Sequence, residues 1–417
     1  MSNRKGTTKQ NVSLPKRGTP DFQLLILTLL LVGFGLVMVF SASSSFTLAS
    51  SKFGNDPLYF MKRQMIWIVL GTVVMFTAMN IHYSKFKKWY VPIFIITVIL
   101  LLIVAFTERI NGAKSWLSIG KLGIQPTELA KISIILYLSA LINKKGERFR
   151  DFRTGYIPVM VIVGIVAGLI MMQPDLGSCL ILVATSGLVI YAGGASMKHI
   201  LGSIALLVLG LGLVLGAKAA IDSLAPASDS VAATQDYRKG RIEAFIDPYQ
   251  DPEGEGYNII QSLTALGQGG ISGSGFGKSI QKLDYLKYPY TDFIFPVIGE
   301  EFGFVGTSIF LMLYLYFIWR GILIALRCKD PFGTLVGIGI MGLIAIQAFV
   351  NIGGVTKTIP LTGVTLPFIS YGGSSLLVSM LCMGIMLNIS RETNLPATEE
   401  VTKSVTTVRQ IRNRRGS

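Results

Sequence analysis

The chain has 417 residues, of which 51% are hydrophobic and only 15% are charged, and its mean hydropathy is +0.57. Ordinary soluble proteins carry about 25% charged residues, so the composition excludes that class and indicates an integral membrane protein with several spans. The formal net charge is +15. Lys and Arg cluster between apolar segments instead of forming one basic face, which argues against a nucleic-acid partner and predicts contact with a lipid bilayer.

Apolar segments divide the chain into two tails and one membrane domain. Residues 1–21, rich in Lys, Arg, Gly and Thr, predict a disordered tail, and residues 393–417 predict a second, basic one. Residues 22–392 between them form the predicted domain. It is all-α, with ten segments of about spanning length: 22–42, 64–80, 90–106, 127–142, 156–173, 176–193, 199–217, 293–319, 333–352 and 372–389.

The distribution of positive charge predicts the topology. An even number of spans brings both termini to one side, and the loops on that side hold more Lys and Arg, so both termini are predicted to be cytoplasmic. Residues 218–291, between helices 7 and 8, then form one large extracytoplasmic loop. Membrane loops of this length commonly carry function or partner contacts.

Ionisable side chains inside or beside the bilayer are costly, so each one needs a reason. Six such side chains fall in the outer half of the protein in the predicted topology. A site gathered there would suit a substrate whose lipid tail stays in the outer leaflet while its polar head reaches the boundary. These six side chains are Glu128, Lys131, Asp175, Asp292, Glu300 and Glu301.

Structural roles also account for several of these charges. Glu128 and Lys131 lie three residues apart on one helical face and could form only an ion pair. Asp175 precedes a helix and could be its N-cap. Glu300 and Glu301 point about 100° apart and cannot share one role, so one of them is expected to pair with a neighbouring helix.

Asp292 is the candidate catalytic base. It could cap helix 8, but a cap explains neither its aromatic neighbours nor the long loop that delivers it. Partial burial beside Tyr290 and Phe293 predicts a raised pKa, which favours a base. Two cations are candidates for holding a substrate anion, Lys131 first and Arg241 second.

Two further features of the outer loops have open interpretations. Trp116 stacks on a sugar or lies at the membrane interface. The glycine-rich run from Gly267 to Gly277 could bring backbone amides close to an anion, or it could be a solvated linker. The sequence contains no dedicated metal cage, although a divalent cation such as Mg²⁺ or Mn²⁺ bridging a diphosphate is plausible.

Six motifs, in order, make residues 22–392 similar to the SEDS family of polytopic cell-wall proteins (shape, elongation, division and sporulation). Residues 277–282 and 361–367 look more like the division branch than the elongation branch. The motifs are Asn111 to Trp116, Gln125 to Lys131, Gln173 to Gly177, Gly256 to Ser262, Thr291 to Glu301, and Thr365 to Ser375.

The resemblance implies a peptidoglycan glycosyltransferase that polymerises lipid II outside the cytoplasmic (inner) membrane of a bacterium, at the division septum. It implies as partners lipid II, the undecaprenyl-diphosphate-linked glycan, a class B penicillin-binding transpeptidase and other divisome membrane proteins. The essential Asp of the family's Thr-Asp-Phe motif maps to Asp292. The family commonly has Leu-Pro-Glu-Ala-His before this motif, whereas this chain has Leu286-Lys287-Tyr288-Pro289-Tyr290.

The resemblance also implies an α-linked donor that gives a β-linked polymer, which requires a single inversion with one base and no covalent intermediate. Asp292 is expected to act as that base, with Glu128, Lys131, Asp175, Arg241, Glu300 and Trp116 as substrate-binding residues. A lipid II flippase and a non-catalytic division scaffold are the alternative functions.

Overall fold

The structure, a computed structural model, describes residues 18–106, 117–119, 122–173, 175–203, 205–206, 240–241, 243–254, 256–283 and 285–394. Most of these residues are helical. Among the described residues, seven helices are long and apolar enough to cross a membrane, so the chain is a multi-pass membrane protein. The helices are α1 Phe22–Ala49, α2 Tyr59–Asn80, α3 Phe86–Ala105, α4 Pro126–Lys145, α5 Ile157–Met171, α6 Leu176–Ala192, α7 Tyr257–Gly269, α8 Ile294–Arg327, α9 Pro331–Val355 and α10 Gly373–Thr393.

The predicted spans coincide with helices wherever the structure describes them. The span at 199–217 falls mostly outside the described residues, as do almost all of the two tails. Helix α6 is apolar but has only 17 residues, whereas α5 reaches spanning length together with the helical turn at Phe152–Tyr156 that precedes it. Helix α4 is not among the seven helices that meet the length and hydropathy conditions. The number of crossings therefore stays a prediction. A short antiparallel pair, β1 Leu117–Ile119 with β2 Leu122–Ile124, precedes α4 and is an addition to the all-α expectation.

Residues from near the two ends of the chain meet at one end of the bundle, called here the terminal end. The Asp21 amide donates to Ser390 Oγ at 2.9 Å, and Arg320 Nη2 contacts Asp21 Oδ2 at 2.5 Å. Asn388 of α10 accepts from the Tyr83 amide at 2.8 Å and donates to the Met79 carbonyl at 2.6 Å. The two ends of the described segment therefore share one side, as an even number of spans requires.

Helix α8 is broken at Gly303. The prediction for this helix was a span at 293–319, but the helix continues to Arg327, and Gly303 adopts φ +64° and ψ −169°. A left-handed residue interrupts the i to i−4 hydrogen bonds, which leaves main-chain groups without their usual partners. At membrane depth such groups need replacement partners from the protein.

Residues 270–275 supply these replacement partners. The amides of Ser274 and Gly275 donate to the carbonyls of Glu300 and Glu301 at 2.9 and 3.0 Å. In the other direction, the amides of Phe304 and Val305 donate to the carbonyls of Gly270 and Ile271 at 2.8 and 3.1 Å. A Cβ at Gly303 would collide with the Gly273 backbone, so the close approach requires glycine. The glycine-rich run is thus built into the broken helix, which differs from both sequence-based expectations for it.

Candidate functional site

Asp292 lies two residues before α8, at the end of the bundle opposite the terminal end. Its side chain is partly buried. Asp292 Oδ2 and Arg241 Nη2 lie 3.5 and 3.8 Å from the point that a Cβ on Gly363 would occupy. Arg241 Nη1 also donates to the Leu361 carbonyl at 3.3 Å. The structure therefore brings two of the sequence-predicted residues together beside the loop that follows α9.

The electrostatic surroundings of Asp292 suit a general base. Burial raises the pKa of Asp292 to about 6, and the positive charge of Arg241 works against this rise. Desolvation disfavours the charged form of an acid, whereas a nearby cation favours it. The pKa moves in the direction that the aromatic surroundings predicted, and at neutral pH the carboxylate is ionised and able to accept a proton.

Two amide side chains of α9 hold the site together, and the sequence analysis did not single them out. Asn351 Nδ2 donates to the carbonyls of Asp292 at 2.8 Å and Val364 at 2.7 Å. One helical turn earlier, Gln347 Nε2 donates to the Thr365 carbonyl at 3.1 Å. The signal for them was available in the sequence, because two amides four residues apart in an apolar helix share one face.

Glu128 and Lys131 form the ion pair that their spacing allowed. Lys131 Nζ lies 2.8 Å from Glu128 Oε1 and 3.0 Å from Gln347 Oε1, and its side chain is 1% exposed. The pair therefore links α4 to α9 at the same end of the bundle as Asp292. The ammonium group is already surrounded by protein acceptors, so a direct contact with substrate remains a prediction for both residues.

Asp175 caps α6. Its Oδ1 accepts from the Ser178 amide at 2.9 Å, and its Oδ2 lies 3.4 Å from Gln125 Nε2 at the start of α4. A Cβ at Gly177 would press against Thr362 and Val364, so the start of α6 touches the loop beside Asp292. The structural interpretation of Asp175 accounts for its contacts, and its binding of substrate remains a prediction.

The adjacent carboxylates of α8 have separate partners, as their 100° offset required. Glu300 accepts from Ser279 Oγ at 2.5 Å and from the Ile280 amide at 2.6 Å. The substrate contact predicted for Glu300 would compete with these bonds. Glu301 Oε1 contacts Lys282 Nζ at 2.8 Å and Ser41 Oγ of α1 at 2.6 Å. Lys282 is a buried cation whose partnership the sequence analysis missed.

The segment before Asp292, which departs from the family pattern, lines a cleft of about 220 Å³. Tyr288 has a left-handed backbone, φ +56°, and its carbonyl accepts from the Thr291 amide at 3.1 Å. The Tyr290 carbonyl accepts from the Tyr371 amide at 2.8 Å. These bonds fix the turn that leads to Asp292. The cleft is lined by Phe46, Lys282, Leu286, Lys287, Tyr288, Pro289 and Tyr290.

Trp116 lies outside the described residues. Within the part of the chain that the structure describes, no group of three or more His, Cys, Asp or Glu side chains is arranged to hold a metal ion.

The fold and the site together define a polytopic helical membrane protein in which a carboxylate and a guanidinium group lie near each other, close to the N-terminus of a helix. Residues 22–395 match the model of the cell cycle protein family FtsW/RodA/SpoVE. The chain belongs to this family, which is the one that the sequence motifs indicated.

Curated relatives cover nearly the whole length of the chain. It is 41% identical over 379 residues to stage V sporulation protein E of Bacillus subtilis, covering 90% of this chain and 98% of that protein. It is 39% identical over 374 residues to the probable peptidoglycan glycosyltransferase FtsW of Geobacter metallireducens, covering 89% of this chain and 94% of that protein. These long matches support a division- or sporulation-like member of the family.

Solved structures share the fold. A chain of a peptidoglycan synthase complex that coordinates polymerization and crosslinking superposes with a TM-score of 0.71 at 28% identity, covering 90% of this chain and 99% of that one. Rod shape determining protein RodA of Thermus thermophilus gives a TM-score of 0.64 at 26% identity, covering 90% of this chain and 98% of that one.

Proposed function

We propose that this chain is a peptidoglycan glycosyltransferase that polymerises lipid II into glycan strands at the outer face of the cytoplasmic membrane. The names of the FtsW relatives support the activity, and the apolar helices support the location. The observation that carries the proposal is the position of Asp292. This residue is partly buried, its pKa is raised to about 6, and it lies near Arg241 just before the N-terminus of α8.

In the proposed reaction, Asp292 takes the proton from the sugar hydroxyl of the incoming lipid II. The hydroxyl oxygen forms a bond to the anomeric carbon of the growing strand, and the bond from that carbon to the lipid diphosphate breaks. The electron pair of the broken bond leaves on the diphosphate. A single displacement inverts the configuration at the anomeric carbon, so one base is sufficient.

Arg241 is the better candidate for holding the leaving diphosphate. Arg241 is a partly exposed residue whose Nη2 lies close to Asp292, and guanidinium groups bind phosphate oxygens in a bidentate manner. Lys131 is buried between Glu128 and Gln347. Its proposed role is therefore to stabilise charge from within the protein, and the order of the two cations reverses relative to the sequence-based prediction.

The proposed partner is a class B penicillin-binding transpeptidase, which would crosslink the strands as they emerge. The similarity to a chain of a peptidoglycan synthase complex supports such a pairing. The proposed place of action is the division septum, together with other divisome membrane proteins. Depletion of the protein should then produce undivided filaments, whereas rounded cells would contradict a septal role.

Reconstitution tests the activity. The purified protein in proteoliposomes, with its transpeptidase partner, should convert labelled lipid II into polymer, and Asp292→Asn should lower the rate at least about a hundredfold, because general bases contribute roughly 10²–10⁴. Asp56→Asn is the matched control, since Asp56 lies in the connection between α1 and α2 at the same end of the bundle and pairs with Lys62 of α2.

The alternative functions predict other results. A lipid II flippase would move lipid between leaflets without making polymer, and a non-catalytic scaffold would support division equally well with Asp292→Asn. Polymer formation that is unaffected by Asp292→Asn would contradict the assignment of the base.

A further inference from the structure

Asn351 makes two main-chain contacts that join separate parts of the site. Its Nδ2 lies 2.8 Å from the carbonyl oxygen of Asp292 and 2.7 Å from that of Val364. An amide nitrogen carries two hydrogens, so each carbonyl receives one of them. Reversing the amide would bring its oxygen against two acceptors, so the contacts themselves define its orientation. One planar group thus sets the spacing between the residue that carries the base and the loop opposite it.

Burial of the Asn351 side-chain amide costs free energy. Asn351 is 3% exposed in an apolar helix, and within the described part of the chain its Oδ1 has no hydrogen-bond partner. A buried polar atom without a partner destabilises the folded state, because it loses its hydrogen bonds to water and gains none from the protein. A residue that only filled space in α9 would avoid this cost if it were apolar.

A second buried asparagine provides a comparison within the same chain. Asn388 of α10 is also 3% exposed and also joins two main-chain segments, through the Met79 carbonyl and the Tyr83 amide. It lies at the terminal end, away from Asp292. The two residues share burial and a bridging role, so a difference between their variants isolates the effect of proximity to the base.

We propose that Asn351 is a positioning residue that holds the main chain of Asp292 at the distance from the 362–366 loop that proton transfer requires. The inference rests on the proposed function. A displacement of about 1 Å can lower a rate by roughly a hundredfold. Removing the two hydrogen bonds should therefore lower kcat while KM changes little, because no substrate contact is lost.

The test measures kcat, KM and the melting temperature of the full-length protein, reconstituted with its transpeptidase partner, on labelled lipid II. Asn351→Ala should lower kcat by roughly ten- to a hundredfold, with KM within about threefold of wild type. Asn388→Ala should lower the melting temperature comparably, because it also leaves buried main-chain groups unpaired, and kcat should stay within about twofold.

Asn351→Asp is the second variant, since it keeps the side-chain volume and removes both donors when ionised. It should lower kcat as well.

Two outcomes would overturn the proposal: wild-type kcat in either folded Asn351 variant, or an equal loss of kcat in Asn388→Ala. If Asn351→Ala does not fold, Asn351→Asp decides the question. A fully active Asp292→Asn variant would refute the proposed base, whereas the Asn351 variants test only the positioning role.

Discussion

Asp292 is held where burial opposes the charge that its proposed chemistry needs. The raised pKa of about 6 still leaves the carboxylate ionised at neutral pH, and Arg241 limits the rise. A carboxylate with an ordinary pKa near 3.9 would be a much weaker base. The residue therefore gains basicity from the same burial that makes its ionised form costly.

The polymerisation rate should depend on the protonation of Asp292. We expect the rate to be low at pH 5, to reach half of its maximum near pH 6, and to level off above pH 7, because only the ionised carboxylate accepts a proton. Initial rates on labelled lipid II between pH 4.5 and 8 measure this. A rate that is flat down to pH 4.5 would contradict the assignment.

Stability should show the opposite preference. The folded-state pKa of Asp292 is raised above the unfolded value, so its contribution to stability is complete at low pH and is lost as the pH rises through about 6. Asn cannot ionise. At pH 8 the Asp292→Asn variant should therefore be more stable than wild type by about 1–3 kcal/mol, whereas at pH 4 the difference should vanish. Thermal unfolding at the two pH values measures this, with Asp56→Asn as the control.

At the level of elements, the broken helix α8 is the part of the fold that shapes the approach to the site. Its first segment, residues 294–302, is joined to residues 270–275 by main-chain hydrogen bonds and to residues 279–282 by the side chains of Glu300 and Glu301. These contacts tie the outer loop to the helix that follows Asp292. The loop and the first half of α8 are therefore expected to behave as one unit.

Gly303→Ala should disrupt this unit. The position has φ +64°, and a Cβ would collide with the backbone of Gly273, so we expect a loss of at least about 2 kcal/mol together with reduced polymerisation. Gly164→Ala is the control. The Cβ would meet no atom within 4 Å, and alanine favours a helix over glycine. Thermal unfolding of both variants in the same detergent tests the prediction, and equal melting temperatures would contradict it.

The Lys282–Glu301 ion pair should act as one energetic unit. Its side chains are 3% and 0% exposed, and removing one partner of such a pair leaves a buried charge at a cost of about 3–5 kcal/mol. Lys282→Met and Glu301→Gln should each destabilise the protein strongly, whereas the double variant should lose much less than the sum. A thermal-unfolding double-mutant cycle measures this coupling, and additive losses would show that the pair is not coupled.

For the whole molecule, the open question is the number of crossings. Residues 199–217 must cross the membrane if Lys198 is cytoplasmic and Tyr249 is extracytoplasmic, as the charge distribution predicts. Both side chains are exposed.

Cysteine labelling can test this topology. In a background lacking Cys179, Cys328 and Cys382, Tyr249→Cys and Lys52→Cys should react with an impermeant maleimide on intact cells with a permeable outer layer. Lys198→Cys and Lys85→Cys should react only after the cytoplasmic membrane is opened. Labelling of Lys198→Cys from outside would refute the ten-span topology.

The sequence by itself determined the class of protein and the positions of most helices, and it singled out the residue that we propose as the base. Long apolar runs determine helices in a membrane because no water is present to bond the backbone. The cost of charge in lipid identified Asp292, Glu128 and Lys131 in the same way. The motif order also identified the family, as the family match over residues 22–395 confirms.

Tertiary structure alone decided which of these groups meet. The sequence shows only that Gln347 and Asn351 share one face of α9 and that Lys282 is one loop cation among many, because the partners of these side chains lie far away along the chain. The sequence does not reveal the break at Gly303 for the same reason. The break depends on residues 270–275, about 30 positions earlier, whose backbone forms hydrogen bonds with the main-chain groups that the break leaves unpaired. The local sequence shows that a polar group lies in an apolar segment, where burial is costly. Only the tertiary structure shows which partners offset that cost.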